Sequence, residues 1–350
     1  MISLILFLVI LGTIVLIHEF GHFIFSKMFG VYVYEYSIGM GKKLWSKKPK
    51  GSETEYSIRM IPIGGFVRLA GEEGEDGDKS VPKERKLYNK SFWQRFLIFF
   101  MGPGFNMLLA FVTLFVSCLI FGASIATTAL SNINPEYPAY KAGLRNGDVI
   151  LELNDEKIST WTQARIKIAT VKSGSSLKFK VKDTNGDIKK VTVTPLKTVD
   201  DDGNDTYVYG VGSKLQKYKG FIGSIKYGFL ETHGILLSMV DTVKYLFTGR
   251  LGVQDLSGPV GIYEVVDSQA KYGVANLLYL LAYLSVNVGI INLIPFPAFD
   301  GGHILFLLIE KIRRKPVSPN VEATITGIGF VLLMLLMLYV TFHDVFNLIK

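Results

Sequence analysis

Apolar residues in this chain are gathered into long blocks, not scattered at the short intervals a soluble core uses. From Ile2 to Ile17 no charge interrupts a run of Leu, Ile, Val and Phe, and beyond a small polar cluster the apolar character continues to Ser26. Phe96 to Pro135, Tyr272 to Phe299 and Ala323 to Phe342 are likewise free of Asp, Glu, Lys and Arg. Each block reaches or exceeds the roughly 20 residues that a helix needs to cross a hydrocarbon layer about 30 Å thick. The pattern predicts a polytopic α-helical membrane protein with four transmembrane helices, over about 2–26, 96–122, 272–299 and 323–346. The first block lacks the basic start and the small-residue cleavage site of a secretory signal, so it is read as a permanent span.

Between the blocks the period shortens. Tyr32 to Tyr36 and Thr54 to Leu69 alternate and are rich in β-formers, which predicts a small sheet over about 31–70, completing an N-terminal membrane core of 1–124. Residues 125–200 predict a separate domain. There Ala142-Gly143 and Asn146-Gly147-Asp148 mark turns, the run from Val149 to Asn154 alternates as a strand, and Trp161 to Ile168 suits a short helix. Leu177 to Val181 and Val191 to Val193 read as strands joined by a turn at Asp183 to Asp187. A linker over 201–271 contains Phe221 to Phe247, whose apolar run is broken by Lys226, Glu231, Asp241 and Lys244. That suits an amphipathic helix along a membrane surface better than a fifth span. Residues 272–350 form the C-terminal membrane core, and the acidic, glycine-rich Gly71 to Asp78 is expected to be a solvated loop.

Composition agrees: of 350 residues 49% are hydrophobic, and the mean hydropathy is +0.32. The charge fixes an orientation. Lysines and arginines crowd the link between the first two spans, from Lys27 through Lys42, Lys43, Lys47, Lys48 and Lys50 to Arg95, and Lys311, Arg313, Arg314 and Lys315 occupy the link between the last two. Both links are expected on the cytoplasmic side, which puts both termini and the region from about 124 to 270 outside. The net charge of +8 is thereby assigned to membrane topology, and no nucleic-acid partner is needed to explain it. The single cysteine, Cys118, lies within a span, excludes an intrachain disulfide and is read as a small core residue.

The polar cluster in the first span is "HEFGH", His18 to His22. Residues four apart share a helix face, so both imidazoles stand on one side, with Glu19 one step round. Two neutral imidazoles can hold Zn²⁺, while a carboxylate that is not a ligand can accept a proton from the attacking water and deliver it to a leaving amine. Ionisable groups inside a span are costly and mark a functional interior. A catalytic zinc wants a third protein ligand, and Asp300, after 28 uncharged residues of the third block, reaches a depth similar to that of the histidines. Pro295 and Pro297 cannot continue a regular helix there, and broken backbone at membrane depth is tolerated where it is buried or lines a wet cavity.

"HEFGH", taken with "NLIPFPAFDGG" from Asn292 to Gly302, "FMGPGFN" from Phe100 to Asn106 and "LSGPVGI" from Leu256 to Ile262, resembles the site-2 protease family of intramembrane zinc metalloproteases. The resemblance covers nearly the whole chain, and it is to the bacterial branch with one PDZ domain, which would be residues 125–200. It implies one Zn²⁺ per chain held by His18, His22 and Asp300, with Glu19 as general base. It also implies cleavage of transmembrane segments of single-pass membrane proteins, anti-sigma factors or remnant signal peptides, after an upstream site-1 protease, in the cell membrane of a bacterium. The small sheet would approach the site and could pair with a substrate stretched into a strand, and the PDZ domain either adds a peptide to a sheet edge or filters out bulky outer domains. Asn106, Asn292, Pro295 and Pro297 are candidate substrate contacts, although the two amides could instead satisfy their own helix carbonyls. Of the other histidines, His303 is a possible neighbour of the site, whereas His233 and His343 are read as structural. A silent adaptor and a metal transporter are the competing classes. An intact Glu19 argues against the first, and a single HExxH with one distant aspartate against the second.

Overall fold

The computed structural model describes residues 2–72, 80–199 and 205–349; most of the acidic stretch Gly71 to Asp78 lies outside them. Contacts divide the chain into two compact units, Met1–Thr113 with Val253–Lys350, and Leu114–Gly252.

The first unit opens with α1 (Ile2–Met28), followed by β1 (Val33–Lys47) and β2 (Glu55–Leu69). Val33 to Ile38 of β1 sits between two stretches of β2, registering with Gly65 to Leu69 on one side and with Glu55 to Ile58 on the other, while Lys43 to Lys47 registers with Tyr56 to Arg59. The small sheet is thus longer than the alternating runs suggest and takes in part of the lysine cluster. Tyr36 hydroxyl donates to the Leu16 carbonyl at 2.9 Å, which ties the sheet to α1 beside the histidines. Helix α2 (Phe92–Phe121) begins four residues ahead of the uncharged block, because Ser91 and Gln94 form a reciprocal cap in which each backbone N–H reaches the other side chain. Arg95 thereby enters the helix, where Glu310 at 2.6 Å balances its charge. The helix stops at Phe121, followed by left-handed Gly122.

The second unit begins within α2, at Leu114. The tail of the second uncharged block is β3 (Ala123–Ser131), and after it come α3 (Pro138–Lys141), β4 (Val149–Leu153), β5 (Glu156–Lys157), α4 (Trp161–Thr170), β6 (Leu177–Lys182), β7 (Ile188–Val193), β8 (Leu196–Val199), β9 (Asp205–Val208), β10 (Gly212–Tyr218) and α5 (Gly220–Phe247). The main sheet has the order β10-β3-β4-β6-β7 with β5 on β4. Its edge strand β10 lies beyond residue 200, in the stretch read from sequence as linker. Ile150, Leu153, Leu177, Phe179 and Val181 fill the core under it.

The chain then returns to the first unit with α6 (Pro259–Ala270), α7 (Val274–Leu293), α8 (Asp300–Arg313) and α9 (Pro319–Ile349). Phe7, Ile10 and Ile14 of α1 pack with Val266 of α6 and Leu280 of α7. The third span does not continue to residue 299: α7 ends at Leu293, and Ile294 is extended at φ −63°, ψ 136°, as expected for a residue before proline. A six-residue break, 294–299, follows, and Asp300 is the first residue of a new helix, not the last of the span. Helix α8 fills the basic link that the sequence offered only as a connection. Among the described residues four helices, Ile2–Met28, Phe92–Phe121, Val274–Leu293 and Asn320–Phe346, are long and apolar enough to cross a membrane.

Candidate metal centre

His18 and His22 are buried on one face of α1, and their Nε2 atoms are 3.2 Å apart. Asp300 meets both, with Oδ2 at 3.1 Å from His18 Nε2 and Oδ1 at 3.4 Å from His22 Nε2. His22 Nδ1 lies 2.8 Å from the Ile98 carbonyl. A carbonyl oxygen only accepts, so Nδ1 carries the hydrogen and in the neutral imidazole Nε2 turns a lone pair toward the other two groups. Asp300 Oδ2 is buried without a hydrogen-bond partner. An acceptor nitrogen and a carboxylate therefore face one another where mutual repulsion would drive them apart, unless a cation lies among them. Four-coordinate zinc with ligand bonds of about 2.0–2.2 Å spaces its ligand atoms roughly 3.4 Å apart, close to the 3.2 Å between the imidazoles and to the 3.1 and 3.4 Å from them to the two Asp300 oxygens. Donor types, spacing and the orphaned oxygen all fit zinc. Among the described residues these three form the one group of its kind.

The approach of α2 makes this possible. A Cβ on Gly102 would stand 2.2 Å from His22 Nε2, and one on Gly21 would stand 2.1 Å from the Met101 carbonyl oxygen. The two helices touch backbone to backbone beside the imidazoles, which residues with side chains could not do.

Glu19 is not in the ligand group. It lines a cavity of about 270 Å³ together with His18, His22, Asp300, Phe66 and Asn292, and the Val67 backbone amide lies close to its carboxylate. Gly65 leaves it room, since a Cβ there would meet Glu19 Cγ at 3.4 Å and the Ser37 carbonyl at 2.8 Å. Asn292 lines the cavity and donates to Val288 O at 3.0 Å. Asn106 does not line it; this residue is fully buried behind His18, its Nδ2 at 3.3 Å from His18 Nδ1. Pro295 is exposed and Pro297 half-buried, both in the break that delivers Asp300. His303 lines the same cavity, stacks on Phe99 at 4.8 Å and pairs with Glu322 at 3.2 Å. His233 on α5 and His343 on α9 are outside the ligand group.

Two participants had no sequence signal. The Ile98 carbonyl is one. The other is Glu72, which read as part of an acidic loop but lines the cavity, accepts from the Leu69 N–H at 3.3 Å, and has its carboxyl pushed up by burial to about 7.

Spanning helices that bring two histidines and an aspartate together beside a free glutamate describe a membrane metalloenzyme. A model described as "Peptidase family M50" matches residues 6–336, and the chain belongs to that family, the site-2 proteases. It is 36% identical over 335 residues to a Clostridium acetobutylicum protein, covering 95% of this chain and 94% of the other. It is 32% identical over 421 residues to "Regulator of sigma-W protease RasP" of Bacillus subtilis and 32% over 419 residues to "Zinc metalloprotease RasP" of Bacillus licheniformis, each covering 98% of both chains. The protein is a multi-pass membrane metalloprotease with a zinc cofactor.

Proposed function

We propose that this protein hydrolyses peptide bonds inside the transmembrane segments of other membrane proteins, with His18, His22 and Asp300 as the zinc ligands and Glu19 as the general base. The observation that carries the reading is the convergence of the three ligand side chains, their nearest atoms 3.1–3.4 Å apart, next to a glutamate that stays out of the ligand set but shares the cavity. When bound, zinc acidifies water and polarises the scissile carbonyl. Glu19 accepts the water proton at its carboxylate and passes it to the departing amide nitrogen. Ile98 fixes the tautomer of His22. Among the described residues Gly65 to Leu69 of β2 registers with β1 alone, and it lines the cavity through Phe66 and Val67, so an unwound substrate segment can add to that edge as a strand. Asn292 holds the stretched backbone, while Pro295 and Pro297 keep 294–299 out of the helix, in a turn closed by Phe299 N–H on the Phe296 carbonyl.

One ligand group among the described residues supports a single closed site over a transport relay. The substrates are single-pass membrane proteins, anti-sigma factors or remnant signal peptides, in regulated intramembrane proteolysis after a site-1 protease has shed the outer part. The segment 125–200, whose sheet is completed by β10, acts as a PDZ domain outside the membrane that either binds a substrate peptide or excludes bulky outer domains, and both termini share that side.

The test is Glu19→Gln in detergent-purified protein with a model transmembrane peptide. Zinc content stays stoichiometric and cleavage is abolished. Cleavage at the wild-type rate, or loss of the metal with the carboxylate, would remove Glu19 from the role of base.

A further inference from the structure

We infer that Asn106 is a positioning residue that holds His18 in its metal-binding tautomer by accepting a hydrogen bond from His18 Nδ1. This rests on the zinc reading above and extends it to a residue that sequence alone offered as a substrate contact.

An imidazole that gives Nε2 to a metal carries its hydrogen on Nδ1, and that hydrogen needs an acceptor, which orients the ring and raises its basicity. His22 has one in the Ile98 carbonyl at 2.8 Å. The polar group at His18 Nδ1 is the Asn106 amide, 3.3 Å away. With Nδ2 on that side, two donors would meet in the metal-binding tautomer, and Asn106 Oδ1 is left buried with no partner. The two ends of a carboxamide have nearly the same shape, and their assignment follows from the hydrogen-bond network. Rotating the amide by half a turn sets Oδ1 on His18 Nδ1–H and turns a donor-donor contact into a hydrogen bond. One end of the amide lacks a partner in either orientation, so the histidine decides between them. The unrotated amide suits the other tautomer, in which Nδ1 accepts and Nε2–H points at Asp300. An amide serves both states, which neither a carboxylate nor an aliphatic side chain can do.

The backbone is built to keep Asn106 there. It lies one turn beyond Gly102 on α2, on the same face, and its own carbonyl accepts from Ser285 Oγ of α7 at 2.8 Å. It is 0% exposed and is absent from the cavity lining, so it meets the ligand, not the substrate.

The experiment compares Asn106→Ala, Asn106→Leu and Asn106→Asp in the full-length, detergent-solubilised protein, reading zinc affinity by chelator competition, the visible spectrum of the cobalt-substituted protein, and KM and kcat for a model transmembrane peptide. Asn106→Ala and Asn106→Leu are expected to bind zinc about 10–100-fold more weakly, with an altered cobalt spectrum. Asn106→Asp, which supplies an acceptor, is expected to restore affinity to within a few-fold. The leucine variant keeps the volume filled if alanine leaves an unstable cavity. A raised KM with wild-type zinc affinity in Asn106→Ala or Asn106→Leu would make Asn106 a substrate contact and overturn the inference, as would an Asn106→Asp protein as weak as the alanine variant. His18→Ala runs alongside. If it keeps full zinc affinity the metal assignment itself fails; if it loses zinc while Asn106→Ala and Asn106→Leu do not, only the present inference does.

Discussion

Replacing Gly102 with alanine adds one methyl group at the most crowded point of the metal centre. That carbon would stand 2.2 Å from His22 Nε2, 2.4 Å from His22 Cε1 and 3.0 Å from His18 Cε1, whereas favourable contact begins near 3.5 Å. Something must move by more than about 1 Å. The His22 ring can leave only by giving up its bond to Ile98, and the helices can part only by opening the Gly21–Met101 contact. Overpacking of this kind costs about 1–3 kcal/mol, which, borne by the ligand set, is a 5- to 150-fold loss of zinc affinity. Intrinsic helix propensity works the other way, since alanine favours a helix over glycine by about 1 kcal/mol, so a loss cannot be charged to the backbone. The assay is chelator competition on detergent-purified protein whose helix content is unchanged. Gly104→Ala, whose methyl meets only Met101 Sδ at 3.1 Å, is the control and should bind zinc as the wild type does. A folded Gly102→Ala protein with wild-type affinity would refute the close approach of α2 to the histidines.

Two further outcomes are expected. Burial alone would raise the Glu156 carboxyl, but hydrogen bonds from Lys167 at 2.7 Å and Arg250 at 2.8 Å, with Lys244 nearby, hold it at about 2. Because the folded value lies below the ordinary 4.5, its contribution is complete above that pH and is lost as pH falls toward 2; the melting temperature of the β-rich unit should drop over this window more steeply in wild type than in Glu156→Gln, and equal slopes would dismiss the cluster as a source of stability. For topology, single cysteines introduced at Lys48 and at Asn185 in a Cys118→Ala background should be labelled by an impermeant reagent from the cytoplasmic and the outer side respectively, and the opposite labelling would invert the proposed orientation.

Much of the metal centre can be read before any coordinates because helical periodicity is rigid: His18 and His22 at a spacing of four must share a face, and ionisable groups within an apolar block have few reasons to be there. Asp300 is less direct. The sequence reaches it by depth, after 28 uncharged residues of the third block, whereas α7 ends at Leu293 and Asp300 opens a new helix beyond the prolines. What escapes is what every residue possesses or what a residue lacks. The Ile98 carbonyl has no letter in the sequence, and Gly102 acts through the absence of a side chain against a helix about 80 positions earlier in the chain. Strand β3 is hidden for another reason, since Ala123 to Ser131 continues an uncharged run and only pairing with β10, near residue 215, distinguishes it from the end of a span. Helix α8 was masked by the basic residues at its end, which carry a topological signal strong enough to make the segment look like a mere link.

The separation of the ligands along the chain has a consequence for biosynthesis. From residue 22 to residue 300 the ribosome must add 278 residues, which at about 5–20 residues per second takes roughly 15–55 s. Throughout that interval a nascent chain already displays both histidines and the glutamate in its first helix, yet it lacks Asp300, the proposed third ligand, and for most of the interval it also lacks α7 and the 294–299 break. On the proposed ligand set a half-made copy cannot complete the zinc site, so peptidase activity would wait until Asp300 has been added and brought to the histidines.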